Sequence, residues 1–132
     1  MKILISEDID SKYEKIKKVI DDNFDDISFN RSKQTNNTIR ELMTNQYDLL
    51  IQDMQLPNTH NGSIDTKGGI NVLNQINYRN IDIPVIICSS ILVRKELDSY
   101  SYTNIPSTFF SSSSSIWKKD LIDFINNNKV LS

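Results

Sequence analysis

Apolar positions recur along this chain in two alternating rhythms. Short, almost continuous hydrophobic runs, "KILIS" (Lys2–Ser6), "YDLLIQ" (Tyr47–Gln52) and "IPVIICS" (Ile83–Ser89), read as strands buried on both faces. Between them, apolar residues return every three or four positions, the spacing of one helix face. Residues 11–24 carry Tyr13, Ile16, Val19, Ile20 and Phe24 in this way, and residues 36–46 carry Ile39, Leu42 and Met43. Ile70, Val72, Leu73 and Ile76 mark a helix over 69–78, residues 91–100 form another, and Trp117, Leu121, Ile122, Phe124 and Ile125 mark a closing helix over 117–130. "ISF" (Ile27–Phe29) and "STFF" (Ser107–Phe110) supply a second and a fifth strand. Residues 57–69 hold all three glycines and one proline, and read as a loop. Strand and helix alternate throughout, which predicts βαβ units and a parallel sheet covered by helices on both faces. The expected fold class is therefore α/β, a doubly wound three-layer sandwich.

Composition narrows the function classes. A length of 132 residues suits one domain, residues 1–132, around one core. With 38% hydrophobic and 24% charged residues, the chain has the means to fold. A net charge of −2 gives no electrostatic footprint for nucleic acid. Cys88 stands alone, so neither an internal disulfide nor a thiolate zinc cluster can form. No apolar run reaches the ~20 residues of a membrane span, and a cytoplasmic protein is expected.

The acids bring chemistry. Glu7 and Asp8 follow the first strand directly, and Asp53 follows the third. Ligands of doubly wound sheets bind outside the carboxyl ends of the strands, where the strand order reverses. Three carboxylates meeting there repel one another unless a cation joins them, and an all-oxygen set suits Mg²⁺. The plainer alternative is that these acids open loops, with Asp8 or Asp10 capping the first helix. Ser89, at the end of the fourth strand, offers a hydroxyl to the same edge, or to the start of the next helix.

Together these residues resemble a response-regulator receiver (CheY-like) domain over essentially the whole chain. The resemblance rests on "ILISED", "YDLLIQDMQLPN", "GGINVLNQI" and "IPVIICSS". It implies a flavodoxin-like (βα)5 fold with a five-stranded sheet in the order 2-1-3-4-5. It implies that Asp53 accepts a phosphoryl group from a histidine kinase, a phosphotransfer protein or a small phosphodonor. Mg²⁺ would be held by Glu7, Asp8, Asp53 and the backbone carbonyl of Gln55. Ser89 would contact the phosphoryl oxygens and shift a two-state equilibrium, with Phe109 as the candidate aromatic that moves with it. A downstream protein effector is the expected output, unless the chain is a piece of a longer protein. A homodimer through the fourth helix and fifth strand is a further form that the resemblance allows.

The chain departs from the family pattern twice. "NTHNGSIDTKG" (58–68) is longer than usual; it reads as a tolerated surface insertion, with His60 a solvated loop residue, or as a lid beside Asp53. The family also sets a lysine after the fifth strand to pair with the phosphoryl group. Here that position falls in "FFSSSSS", nearest to Ser111, which has a hydroxyl but no charge. The serines therefore read as the loop between the fifth strand and last helix. Lys67, Arg94, Lys95 and Lys118 are the candidate replacements. Loss of the lysine keeps a second function open: a phosphorylation-independent interaction module. An Mg²⁺-dependent phosphatase-type enzyme is disfavoured, because Gln55 stands where it would want a second acid.

Overall fold

A computed structural model describes residues 1–59, 62 and 64–129 of the chain. His60, the one histidine weighed above, lies outside the described residues, as does Val130. The elements in order are β1 (Lys2–Ser6), α1 (Asp10–Asn23), β2 (Ser28–Ser32), α2 (Thr35–Thr44), β3 (Leu49–Gln52), β4 (Leu56–Pro57), β5 (Ile64–Asp65), α3 (Gly68–Tyr78), β6 (Val85–Ser89), α4 (Arg94–Ser99), β7 (Ser107–Phe109) and α5 (Ile116–Asn128). The main sheet runs β2-β1-β3-β6-β7, all parallel. Discounting the small β4–β5 pair, this is the 2-1-3-4-5 order, and the doubly wound fold expected from the sequence is borne out.

Alternation along the strands explains their continuous apolar runs. Ile3 and Ile5 of β1, Leu49 and Ile51 of β3, and Ile86 and Cys88 of β6 face one side. There they pack against Ile16 and Ile20 of α1 and Trp117, Leu121 and Ile125 of α5. Leu4, Leu50, Val85 and Ile87 face the other side, against Ile70 and Leu73 of α3 and Leu97 of α4. Both faces are covered, so neither tolerates polar alternation.

The structure corrects three expectations. β2 begins at Ser28 and runs to Ser32, later than "ISF", because this edge strand alternates exposed and half-buried positions and carries little apolar signal. α4 spans only Arg94–Ser99; Val93 just before it is buried in the core but Leu92 is 86% exposed, so the helix is anchored only from Val93 onward. The 57–69 loop contains an antiparallel pair, with Leu56 opposite Asp65 and Pro57 opposite Ile64. Asp65 anchors that turn by accepting hydrogen bonds from Asn58, Asn71 and the Lys67 backbone.

Candidate metal and phosphoryl-acceptor site

Backbone bonds carry the three acids to one edge of the sheet. The Glu7 N–H donates to the Ser32 carbonyl at 2.9 Å, and the Asp53 N–H donates to the Ser6 carbonyl at 2.9 Å. Glu7 and Asp53 are thus each the first residue beyond their strand, held by the neighbouring strand's last carbonyl, and Asp8 follows Glu7 directly. Glu7, Asp8 and Asp53 each offer an oxygen, and these lie within 4.8 Å of one another. Glu7 is 1% and Asp53 5% exposed, so their charges sit largely out of water. Among the described residues, Asp8 Oδ1 is buried without a hydrogen-bond partner. A buried orphan oxygen beside two further carboxylates fits a hard, oxygen-seeking divalent cation.

Of the two carbonyls after Asp53, that of Met54 accepts the Gly69 N–H at 2.9 Å. The half-buried Gln55 is left as the backbone oxygen of this pair outside that contact. α3 could not approach so closely with any other residue at position 69. A Cβ there would lie 2.6 Å from the Asp53 carbonyl and 2.8 Å from Met54 Cα.

A cation already stands among the acids, and it is none of the four replacements named from the sequence. Lys12, the third residue of α1, reaches back over the sheet edge. Its Nζ donates to Asp53 Oδ1 at 3.1 Å and to the Cys88 carbonyl at 2.8 Å, and it forms an ion pair with Glu7 Oε2 at 2.9 Å. Lys12 is only 3% exposed, and the Phe110 ring covers its ammonium at 5.4 Å. By contrast, Lys67 stands over Tyr100 at 6.0 Å and Lys118 over Trp117 at 5.8 Å. Arg94 is spent on Asp98, Ser107 and the carbonyls of Thr103 and Ile105.

The remaining predicted residues fall close by. Ser89 is fully buried, and its Oγ accepts the Ile91 N–H at 3.3 Å rather than capping α4. Phe109 is its register partner across the β6–β7 ladder and is 47% exposed. Ser111 turns to its own loop, exchanging a hydrogen bond with Ser113 Oγ at 3.0 Å. The serine run is held by Trp117, whose Nε1–H donates to the Ser111 carbonyl at 2.9 Å and whose ring packs on Phe110 at 4.7 Å. It is an anchored turn inside the fold.

Burial sets the electrostatics. It pushes the Glu7 carboxyl up to about 7, against the pull of Lys12 and with the help of Asp53. Burial also raises Asp8 and Asp53, the latter again opposed by Lys12. For Lys12, burial favours the neutral amine, but Asp53 and Glu7 outweigh it and raise its pKa. Three acids and one ammonium leave a formal excess of negative charge that a divalent cation would balance.

No protein-family model matches the chain. Among curated proteins it is similar to the Detocs response regulatory protein DtcB of Enterobacter cloacae, 28% identical over an alignment that covers 92% of this chain and 96% of the relative. Among solved structures it is similar to the receiver domain of the Francisella response regulator 1452, at TM-score 0.72 and 22% identity, covering 96% of this chain and 93% of the other. The Thermotoga maritima response regulator TrrA, solved in complex with Mg²⁺-BeF, matches at TM-score 0.70 and 18% identity, covering 93% of this chain and 97% of the other. The resemblance to receiver domains read from the sequence is borne out, and the fold is theirs.

Proposed function

We propose that this receiver-fold chain, residues 1–132, is a phosphoryl-accepting switch of two-component signalling, with Asp53 as the acceptor. The observation that carries the reading is the convergence of Glu7, Asp8 and Asp53 within 4.8 Å at the ends of β1 and β3, with an ammonium on Asp53. The hydrogen bonds to the Asp53 carboxylate, from Lys12 and from the Met54 N–H at 2.9 Å, both fall on Oδ1. Oδ2 is then the oxygen whose electron pair attacks phosphorus. The bond from phosphorus to the donor, a histidine kinase nitrogen or the acyl oxygen of a small phosphodonor, breaks. The leaving group takes the electron pair, and an aspartyl phosphate remains. Mg²⁺ held by Glu7, Asp8, Asp53 and the Gln55 carbonyl would supply neutralisation of the phosphoryl charge. The Ser89 hydroxyl accepts from Ile91 and keeps its own proton to donate to a phosphoryl oxygen. That contact draws on the loop before α4 and beside Phe109, and so changes a protein-binding face. On this reading the setting is cytoplasmic. Among the described residues, no helix is long and apolar enough to cross a membrane.

Intact-mass spectrometry after incubation with acetyl phosphate and Mg²⁺ tests this. One added phosphoryl group in the parent and none in Asp53→Asn is the expected result. No gain in either, with Mg²⁺ binding also absent by calorimetry, would overturn this reading in favour of a phosphorylation-independent interaction module.

A further inference from the structure

We propose that Lys12, carried on helix α1, is the phosphoryl-partner cation of this site, so that the charge absent from the β7–α5 loop is supplied from a different element. The inference rests on Asp53 being the acceptor. Its geometry is specific. One ammonium spans Glu7 at 2.9 Å, Asp53 at 3.1 Å and the carbonyl of Cys88 at 2.8 Å, the residue before the Ser89 hydroxyl. Its three protons are thereby directed at the acid after β1, the acceptor after β3 and the end of β6. A phosphoryl group on Asp53 would form beside the oxygen this ammonium already holds, and could take over one of its three contacts.

The sequence around the site has made room for this arrangement. Phe110 stands where the fifth strand ends, and its ring covers Lys12 and packs against Trp117. The serines beyond it bond among themselves, and the Ser111 carbonyl is taken by Trp117. A lysine entering from that loop would have to displace the aromatic pair. Lys12 meanwhile occupies the apolar stripe of α1, one turn before Ile16, where burying a charge is costly unless it is paired. Neutralising Glu7 alone would not need the further contacts with Asp53 and Cys88.

The test compares the parent with Lys12→Met, which keeps the apolar stem, Lys12→Arg, which keeps the charge, and Lys118→Met, an exposed control. Acetyl phosphate labelling is followed by intact mass, and Mg²⁺ binding by calorimetry. Removing one positioned cation should slow labelling of Lys12→Met about 100-fold. Mg²⁺ should bind that variant at least as tightly as the parent, because the acids lose their competing ammonium. A merely structural lysine would instead weaken Mg²⁺ binding as the site loosens. Lys12→Arg should retain part of the rate, and Lys118→Met all of it. Labelling of Lys12→Met at the parental rate, with Asp53→Asn silent, would overturn the role of Lys12 and leave Asp53 as acceptor. Absence of labelling in the parent would remove the acceptor reading and this one with it. If Lys12→Met does not fold, Lys12→Arg decides: partial labelling supports the cation role, and a labelling rate as low as that of Asp53→Asn, with Mg²⁺ binding intact, would overturn it.

Discussion

Glu7 illustrates how one buried carboxyl makes the site sensitive to its surroundings. Its pKa in the folded chain is raised from 4.5 to about 7, so between these values the folded state binds a proton that the unfolded state has released. Stability conferred by the protonated acid is fully present below pH 4.5 and is lost as pH rises through about 7. Asp8 and Asp53 are shifted in the same direction, and the lowered Asp10 and Asp65 act only in more acid solution. The metal-free protein should therefore show a falling urea midpoint from pH 5 to pH 7.5, and Glu7→Gln should flatten that slope; a midpoint that rises over this range would refute the assignment. The acids themselves were legible, because they end strands of unmistakable apolar pattern. Lys12 was not singled out, although the signal was there. It sits four residues before Ile16, on the same helix face as Ile16, Val19 and Ile20, and a lysine on an apolar stripe near an acidic edge calls for a partner. Periodicity sorts residues into inside and outside, and it has no place for a cation that is inside.

At the level of elements, the sequence made the central strands plain and the edges less so. β1 matches the expected range residue for residue, since both its faces are buried. β2 and α4 are short and partly exposed, and the β4–β5 pair depends on a polar turn held by Asp65 rather than on any hydrophobic run. The N-terminus of α3 bears directly on the site. Gly69 lets that helix lie against the backbone that carries Asp53, with no space for a methyl group. Gly69→Ala should thus cost about 2 kcal/mol by overpacking, read as a lower urea midpoint. Because the atoms that must shift are the Asp53 carbonyl and Met54 Cα, Mg²⁺ affinity should fall as well. Unchanged stability and affinity would mean that the helix start yields freely.

Over the whole molecule, the doubly wound order places the chemistry where the first and third strands are neighbours; alternation conveyed the doubly wound class, and the resemblance to receiver domains implied the strand order. What alternation could not convey is that one ammonium fastens three strand ends together. α1 begins without a side-chain cap, since Ile9 makes no such bond. The first turn of a helix with bare N–H groups ordinarily frays, and its amides exchange with solvent ahead of the core. Here that turn is fastened through Lys12 to Glu7 after β1, to Asp53 after β3 and to Cys88 in β6. The Tyr13 amide, bonded to the Ile9 carbonyl at 3.0 Å, should consequently exchange deuterium as slowly as the central strands. In Lys12→Met it should exchange faster while the α5 amides stay protected, and parental protection in that variant would show that the turn is held by other means. The beginning of α1 becomes a deuterium clock whose rate reports what the Asp53 carboxylate is bound to.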